Sequence, residues 1–415
     1  MSGSTGTLSG ALEDAGPRYY AWLAAVGLGL LIGLYGVLTT FIQGTVTLGI
    51  TDQVPWGVLI STYVFFALLS TGICIGVTSL ASVFGMEEYE PLVKRGVVLS
   101  LITLASGGLV IMAGLGQPLR AIPQMLLSPN PSAPMWWMIV LYGIYGAALV
   151  AEFSILEWRP GVSKQVKLGV GLVALIAPIL AGGMLGAIFG TAEVRPYYGG
   201  MFASVYLLVT AILSGVALIA AITIIERKFS SSTEEAVSTE LLTGTLAKYL
   251  GVMAGAVLLL TALRYLYGLT ATNEALALAH QEMLLSGHGL WTIGLGVVVG
   301  LVIPLALMAS PKARTMNGVL GASVLVLVGM FASRLEFVMG GQVVALTNDP
   351  GHQFPIAAYA PSAVELAIVV MGVALFALLY TVARGLFDLD AVPGHETEMT
   401  TEPDAVAKPE GSDDD

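Results

Sequence analysis

The chain has 415 residues, 56% of them apolar and 11% charged, with a net charge of −11. So few charges exclude an ordinary water-soluble domain, in which about a quarter of residues are charged, and the acidic balance gives no support for nucleic-acid binding, which needs a basic face. Cys74 is the only cysteine, which excludes a disulfide framework and any zinc or iron-sulfur site built by this chain alone.

Residues 1–18 have neither a basic start nor an apolar run, so they are expected to form an N-terminal tail, not a cleaved signal peptide. A membrane-crossing helix needs roughly 20 mostly apolar residues. Ten stretches qualify, at about 20–43, 56–84, 95–115, 134–157, 166–190, 200–226, 246–268, 286–309, 315–338 and 361–387. The expected fold is therefore an all-α integral membrane protein with one transmembrane domain over 19–388. From 389 to 415 the chain is acidic, ending Asp413-Asp414-Asp415, and is expected as a disordered tail that buries nothing.

Of the 17 lysines and arginines, all but four fall on the N-terminal side of the span pattern: Arg18, Lys94, Arg95, Arg159, Lys164, Lys167, Arg227, Lys228, Lys248, Lys312, Arg314, Arg384 and Lys408. The positive-inside rule then places both termini in the cytoplasm of a cell with this chain in its cytoplasmic membrane. Outer loops are expected at about 44–55, 116–133, 191–199, 269–285 and 339–360, and the longest cytoplasmic loop, 227–245, is a Ser/Thr/Glu stretch. Glycine spacings such as Gly182-Gly186-Gly190 and Gly296-Gly300 put small residues on one helix face and permit close packing. Pro178 and Pro304 lie inside spans and should kink them, either for packing or to free a carbonyl.

The four histidines are His280, His288, His352 and His395; three fall in outer loops or at a span end and one in the tail. No pair shares mid-membrane depth, so a bis-histidine haem is not expected.

Span two opens Val54-Pro55-Trp56-Gly57, and span three leaves as Gly116-Gln117-Pro118-Leu119-Arg120. Span four is entered through Ser128-Pro129-Asn130-Pro131-Ser132-Ala133-Pro134-Met135-Trp136. Span nine ends Ser333-Arg334-Leu335-Glu336-Phe337, followed by Gly340-Gly341-Gln342, and span ten begins Tyr359-Ala360-Pro361-Ser362-Ala363-Val364-Glu365. In this order, over about residues 50–385, these stretches resemble the NrfD/polysulfide-reductase (PsrC-like) membrane subunits, and among them the ten-span branch of hydrogenase-2-type and alternative complex III-type subunits.

That resemblance implies two four-helix bundles plus two additional helices. It also implies a haem-free, quinone-interacting subunit, with menaquinone the expected substrate. Such a subunit exchanges electrons with a [4Fe-4S] ferredoxin-like partner on the outer face, leading to a molybdopterin or other large catalytic subunit. The chain departs from the family where aspartate and arginine are common at the exit of span three, since Gly114 and Gln117 stand there. It also has no carboxylate from Trp291 to Pro304.

A quinone takes up two electrons and two protons, so its site needs hydrogen-bond donors, proton exchangers and an apolar passage. Quinone-binding candidates are Tyr63, Arg120, Tyr142, His280, His288 and Arg334. Arginine is costly in lipid and should face protein, headgroup or a wet cavity; Glu193 with Arg195 and Arg334 with Glu336 are available as local pairs. Arg195 and Arg264 are candidates for the partner interface. Tyr145, Glu152 and Glu365 are proton-path candidates. Glu152 equally fits a carboxylate paired near Arg159, and Glu365 equally fits a capping box with Ser362. The alternative function for ten spans with kinking prolines and a buried Glu152 is a secondary transporter or ion-conducting protein.

Overall fold

The computed structural model describes residues 16–159, 161–229, 237–345 and 354–389. The expected tails before residue 16 and from residue 390, together with His352 and His395, lie outside the described residues. Backbone polar groups in lipid must be satisfied within the segment, and each long apolar run does so by forming a helix. The ten are Pro17–Gln43, Val58–Ser82, Glu87–Gly114, Pro134–Trp158, Lys164–Gly190, Phe202–Lys228, Leu241–Leu269, Leu290–Ala309, Met316–Gly340 and Ala363–Leu386, called spans one to ten in chain order. Pro17 and Pro134 occupy first-turn positions, where the missing N–H costs nothing.

Spans two to five form one four-helix bundle and spans six to nine a second. Span six packs against spans two and five, and span nine against span two, which joins the bundles. Spans one and ten pair with each other and lie along span three. At the joint the backbones of spans two and six touch: a Cβ on Gly72 would collide with the Ala211 carbonyl, and one on Gly215 with the Gly72 carbonyl. Two of the glycines singled out by spacing act in the same way. Gly186 meets the backbone of Ser204, and Gly300 meets Gly329.

The connections after spans one, three, five, seven and nine share one end of the molecule, called the distal end below; the start of span one and the end of span ten belong to the other, basic end. Two distal connections expected as loops contain helices, Pro118–Leu127 in 116–133 and Glu274–Leu285 in 269–285. Asn273 caps the second by accepting from the Leu276 N–H, and its Glu-Ala-Leu-Ala-Leu-Ala opening is made of strong helix formers. Both are too short to cross a bilayer, so a span-length test overlooks them. Span eight is wound as a π-helix over Leu290–Val302, with Pro304 in the α-helical turns that follow; π-winding is one way a membrane helix accommodates a proline.

Candidate functional site

Three sequence motifs that are far apart in the chain form one latch at the distal end. The side-chain amide of Gln342, fully buried, pairs with the Trp56 peptide: Oε1 accepts from the Trp56 N–H and Nε2 donates to the Trp56 carbonyl, both at 2.9 Å. Nearby, the Tyr359 hydroxyl accepts from the Val58 N–H (2.7 Å) and donates to Glu365 Oε1 (2.9 Å). Glu365 Oε2 accepts from the Ser362 and Gly49 N–H groups, and the capping box with Ser362 is formed. Of the two roles open to Glu365, the cap is the one seen, and three donors already occupy its carboxylate. Gly57 carries no side chain for a visible reason, since a Cβ would lie 2.5 Å from the Tyr359 hydroxyl. Burial raises the Tyr359 phenol above its ordinary range, so it remains a donor.

Behind this latch, the second bundle holds a buried charged cluster. Arg264 Nη2 lies 2.5 Å from Glu336 Oε2, and the Tyr197 hydroxyl donates to Glu336 Oε1. The Arg264 guanidinium also sits over the rings of Tyr197, Tyr206 and Tyr265, 4.9 to 5.3 Å from their centroids. Two expectations are corrected here. Arg264 is not a surface residue for a partner, because it is only 6% exposed and its charge is committed to Glu336. Glu336 is paired with Arg264 and not with Arg334, because residues two apart on a helix point to different sides. Arg334 is 0% exposed, and none of its guanidinium nitrogens has a hydrogen-bond partner.

His280 belongs to the same neighbourhood. Expected in a loop, it is instead on the helix Glu274–Leu285 and 1% exposed, with its ring 4.4 Å from that of Tyr197. Its Nδ1 is 2.9 Å from the Leu276 carbonyl oxygen, and burial lowers its pKa, so it is a neutral ring. A cavity of about 650 Å³ opens beside Arg264, His280 and Tyr197. His288 stays at the half-buried start of span eight and contacts Ser286 (3.0 Å).

The first bundle contains hydroxyls and one carboxylate. Tyr63 donates to Met138 Sδ at 3.2 Å, and the Tyr142 and Thr71 hydroxyls face each other. The Tyr145 hydroxyl donates to the Ser70 carbonyl (3.0 Å), and the Ser70 hydroxyl donates to the Ser100 carbonyl (2.8 Å). Toward the basic end, Cys74 donates to the Ala174 carbonyl (2.9 Å), and Glu152 lines a cavity of about 290 Å³ with Ser82, Glu87, Glu90 and Lys167. Glu152 is 6% exposed, has an unpartnered oxygen and forms no pair with Arg159; the ion pair at this level is Lys94–Glu157 (2.5 Å).

The other two distal arginines, Arg120 and Arg195, lie nearer the surface. Arg120, a quinone candidate, is exposed on the helix Pro118–Leu127 and donates to Gln117 Oε1 at 3.0 Å. Arg195 donates to the carbonyls of Gly341 (2.9 Å) and Gln53 (3.4 Å) instead of pairing with Glu193. A second charged cluster, at the basic end, escapes sequence reasoning: buried Glu226 takes buried Arg95 (2.6 Å), the more exposed Arg384 (2.5 Å) and the Tyr380 hydroxyl (2.6 Å). Its only sequence signal is a glutamate within the apolar run of span six. Among the described residues no three His, Cys, Asp or Glu side chains come together in a way that could hold a metal ion.

A family model described as polysulphide reductase, NrfD, matches residues 47–345. A protein of Halobacterium salinarum named as a putative dimethyl sulfoxide reductase membrane subunit is 26% identical, over 89% of this chain and 91% of its own length. An Archaeoglobus fulgidus protein named as the integral membrane subunit of an Hdr-like menaquinol oxidoreductase is 24% identical, over 94% and 98%. A protein of Mesobacillus selenatarsenatis named as a subunit of selenate reductase is 24% identical, over 71% and 76%.

Proposed function

The chain belongs to the NrfD polysulphide reductase family, and from that premise we propose that it is the haem-free, quinone-interacting membrane subunit of a respiratory oxidoreductase complex. It exchanges electrons between membrane quinone, menaquinone above all, and a [4Fe-4S] ferredoxin-like subunit docked on the distal face. That subunit in turn serves a molybdopterin or other large catalytic subunit. The observation that carries this is the concentration of buried Arg264, Glu336, Arg334 and His280 at the distal end, with Arg264 and His280 lining a cavity, in a chain with so few charges. Charges that deep are costly to keep unless a function uses them. The name of the Archaeoglobus relative supports the substrate, and the reductase names of the other two support a catalytic partner.

The distal end faces outward in this proposal, with both termini cytoplasmic, on the strength of the lysine and arginine distribution. Tyr63, Tyr142, His280, His288 and Arg334 remain the candidates for contact with quinone. Arg120 and Arg195, on the distal surface, are candidates for contact with the partner. Tyr145 and Glu152 are candidates for a proton route from the basic end, with Glu152 at its mouth. Secondary transport gains no observation of its own.

The test is the assembled complex with and without this chain. Quinol-linked turnover should vanish without it, while the soluble subunits still react with artificial carriers. Full quinol turnover in its absence would overturn the proposal, as would solute transport by the isolated chain in liposomes.

A further inference from the structure

The helix Pro118–Leu127, in the connection between spans three and four, has three sides of different chemistry. At about 100° per residue, Pro118, Ala121 and Met125 share one side, and all three are half-buried against the protein. Leu119, Pro123 and Leu126 share a second side about a third of a turn away, with Leu127 at its edge. Arg120 and Gln124 share the third. Both of these sides are exposed, and the leucines most of all: Leu119 is 78% exposed, Leu126 55% and Leu127 83%.

The surroundings of the helix identify what covers those leucines. Only Leu115 to Gln117 separate it from the end of span three, and only Ser128 to Ala133 from the start of span four, so it is held at the level where two membrane-crossing helices emerge. Span four enters through Trp136 and Trp137, whose rings are 4.8 Å apart, and tryptophans at a span end mark the headgroup level. The Trp137 indole N–H donates to the Pro131 carbonyl (2.8 Å), which ties the segment leaving the helix to that level. Exposed apolar residues flank the helix along the chain, at Leu109 in span three and at Met135 and Trp137 in span four, where a bilayer covers them. The leucines continue that series.

Charge and backbone agree. Arg120 is the one charged residue between Arg95 and Glu152, so the helix offers a cation and no carboxylate to anionic headgroup phosphates. Pro123 has no N–H to give the Leu119 carbonyl. A carbonyl freed within the hydrocarbon is costly, whereas headgroups and water satisfy it, so the helix belongs at the interface and not deeper.

We propose that Pro118–Leu127 is an in-plane membrane helix, seated in the headgroup layer at the distal end. Leu119, Pro123, Leu126 and Leu127 turn to the acyl boundary, and Arg120 and Gln124 to the aqueous side. Helices of this kind sink about 5–10 Å into that boundary. The partner of the leucine side is thus the lipid surface, while Arg120 stays on the side open to a docked subunit. The placement is independent of the quinone assignment.

The test uses spin labels. Cys74, the chain's only cysteine, is buried, so Leu119→Cys, Gln124→Cys and Leu126→Cys each add one accessible thiol for a nitroxide. The purified complex, and the same complex stripped of its soluble subunits, are placed in vesicles of phosphatidylcholine and phosphatidylglycerol, and the signal of the unsubstituted complex is subtracted. Relaxation by oxygen, which dissolves in hydrocarbon, is compared with relaxation by a water-soluble nickel chelate. At positions 119 and 126 oxygen should be the stronger relaxant several-fold, and at 124 the nickel chelate, with or without the soluble subunits.

A stronger effect of nickel at all three positions would overturn the proposal, because the helix would then stand in water. Exclusion of both reagents at 119 and 126 only when the soluble subunits are present would make the leucine side a protein docking face instead. Exclusion of both reagents in the stripped complex would mean that it packs on this chain or on a second copy, which also overturns the proposal.

Discussion

The molecule holds two charged clusters, each with two arginines and one glutamate, and uses them differently; both arginines are buried at the distal end, whereas at the basic end only Arg95 is. At the basic end Glu226 is shared, taking Arg95 from span three and Arg384 from span ten, with the Tyr380 hydroxyl as a third donor. At the distal end Glu336 takes only Arg264 and Tyr197, and Arg334 has no hydrogen-bond partner. A glutamate bonded to groups on several helices acts as a clasp between spans three, six and ten. A buried guanidinium without a hydrogen bond adds nothing of that kind to the fold, which points to a different use.

The largest expected effect is on Glu336. Glu336→Gln leaves Arg264 and Arg334 buried without a counter-charge and should cost about 3–5 kcal/mol. Glu226→Gln should cost less, because the Arg384 side chain is 39% exposed and can turn to water. Thermal unfolding of the two purified variants orders them, and a larger loss at Glu226 would break the comparison.

Next comes Arg334→Met, which replaces an unpartnered buried cation with an apolar chain of similar length. It should leave stability unchanged or raise it by about 1–4 kcal/mol, whereas Arg95→Met, which breaks a clasp, should destabilise. A lower melting temperature for Arg334→Met would show that this arginine does hold the fold.

Gly57→Ala should cost about 1–3 kcal/mol, since its Cβ would meet the Tyr359 hydroxyl and Glu365, and backbone or side chain must shift. A neutral result in a urea titration would show that the latch is loose.

The smallest effect concerns pH. The folded state lowers the pKa of His280 below its ordinary value of about 6.5. The unfolded chain therefore takes up a proton that the folded one refuses, and stability should decline as pH falls from about 6.5, by at most about 1.4 kcal/mol per pH unit. His280→Phe should remove that part of the pH dependence, and an unchanged profile would place the dependence elsewhere.

Much of this was legible in the sequence. Ten helices follow from ten apolar runs, because in lipid a chain must satisfy its own backbone. Trp56, Gly57, Gln342, Tyr359 and Glu365 stood out as letters, but their union into one latch did not, since its hydrogen bonds span up to 316 residues of chain. The helix carrying His280 escapes a search for spans because its 12 residues fall short of one.

The sequence by itself determined the ten apolar runs long enough to cross a membrane and which end collects the basic residues, since run length and local composition fix these. Tertiary structure alone decided the partners of the buried charges. Arg334 and Glu336 are two residues apart and point away from each other, whereas Arg264, 72 residues away, reaches Glu336 across two packed helices. An ion pair depends on which helix faces meet, and no spacing along a single chain encodes that.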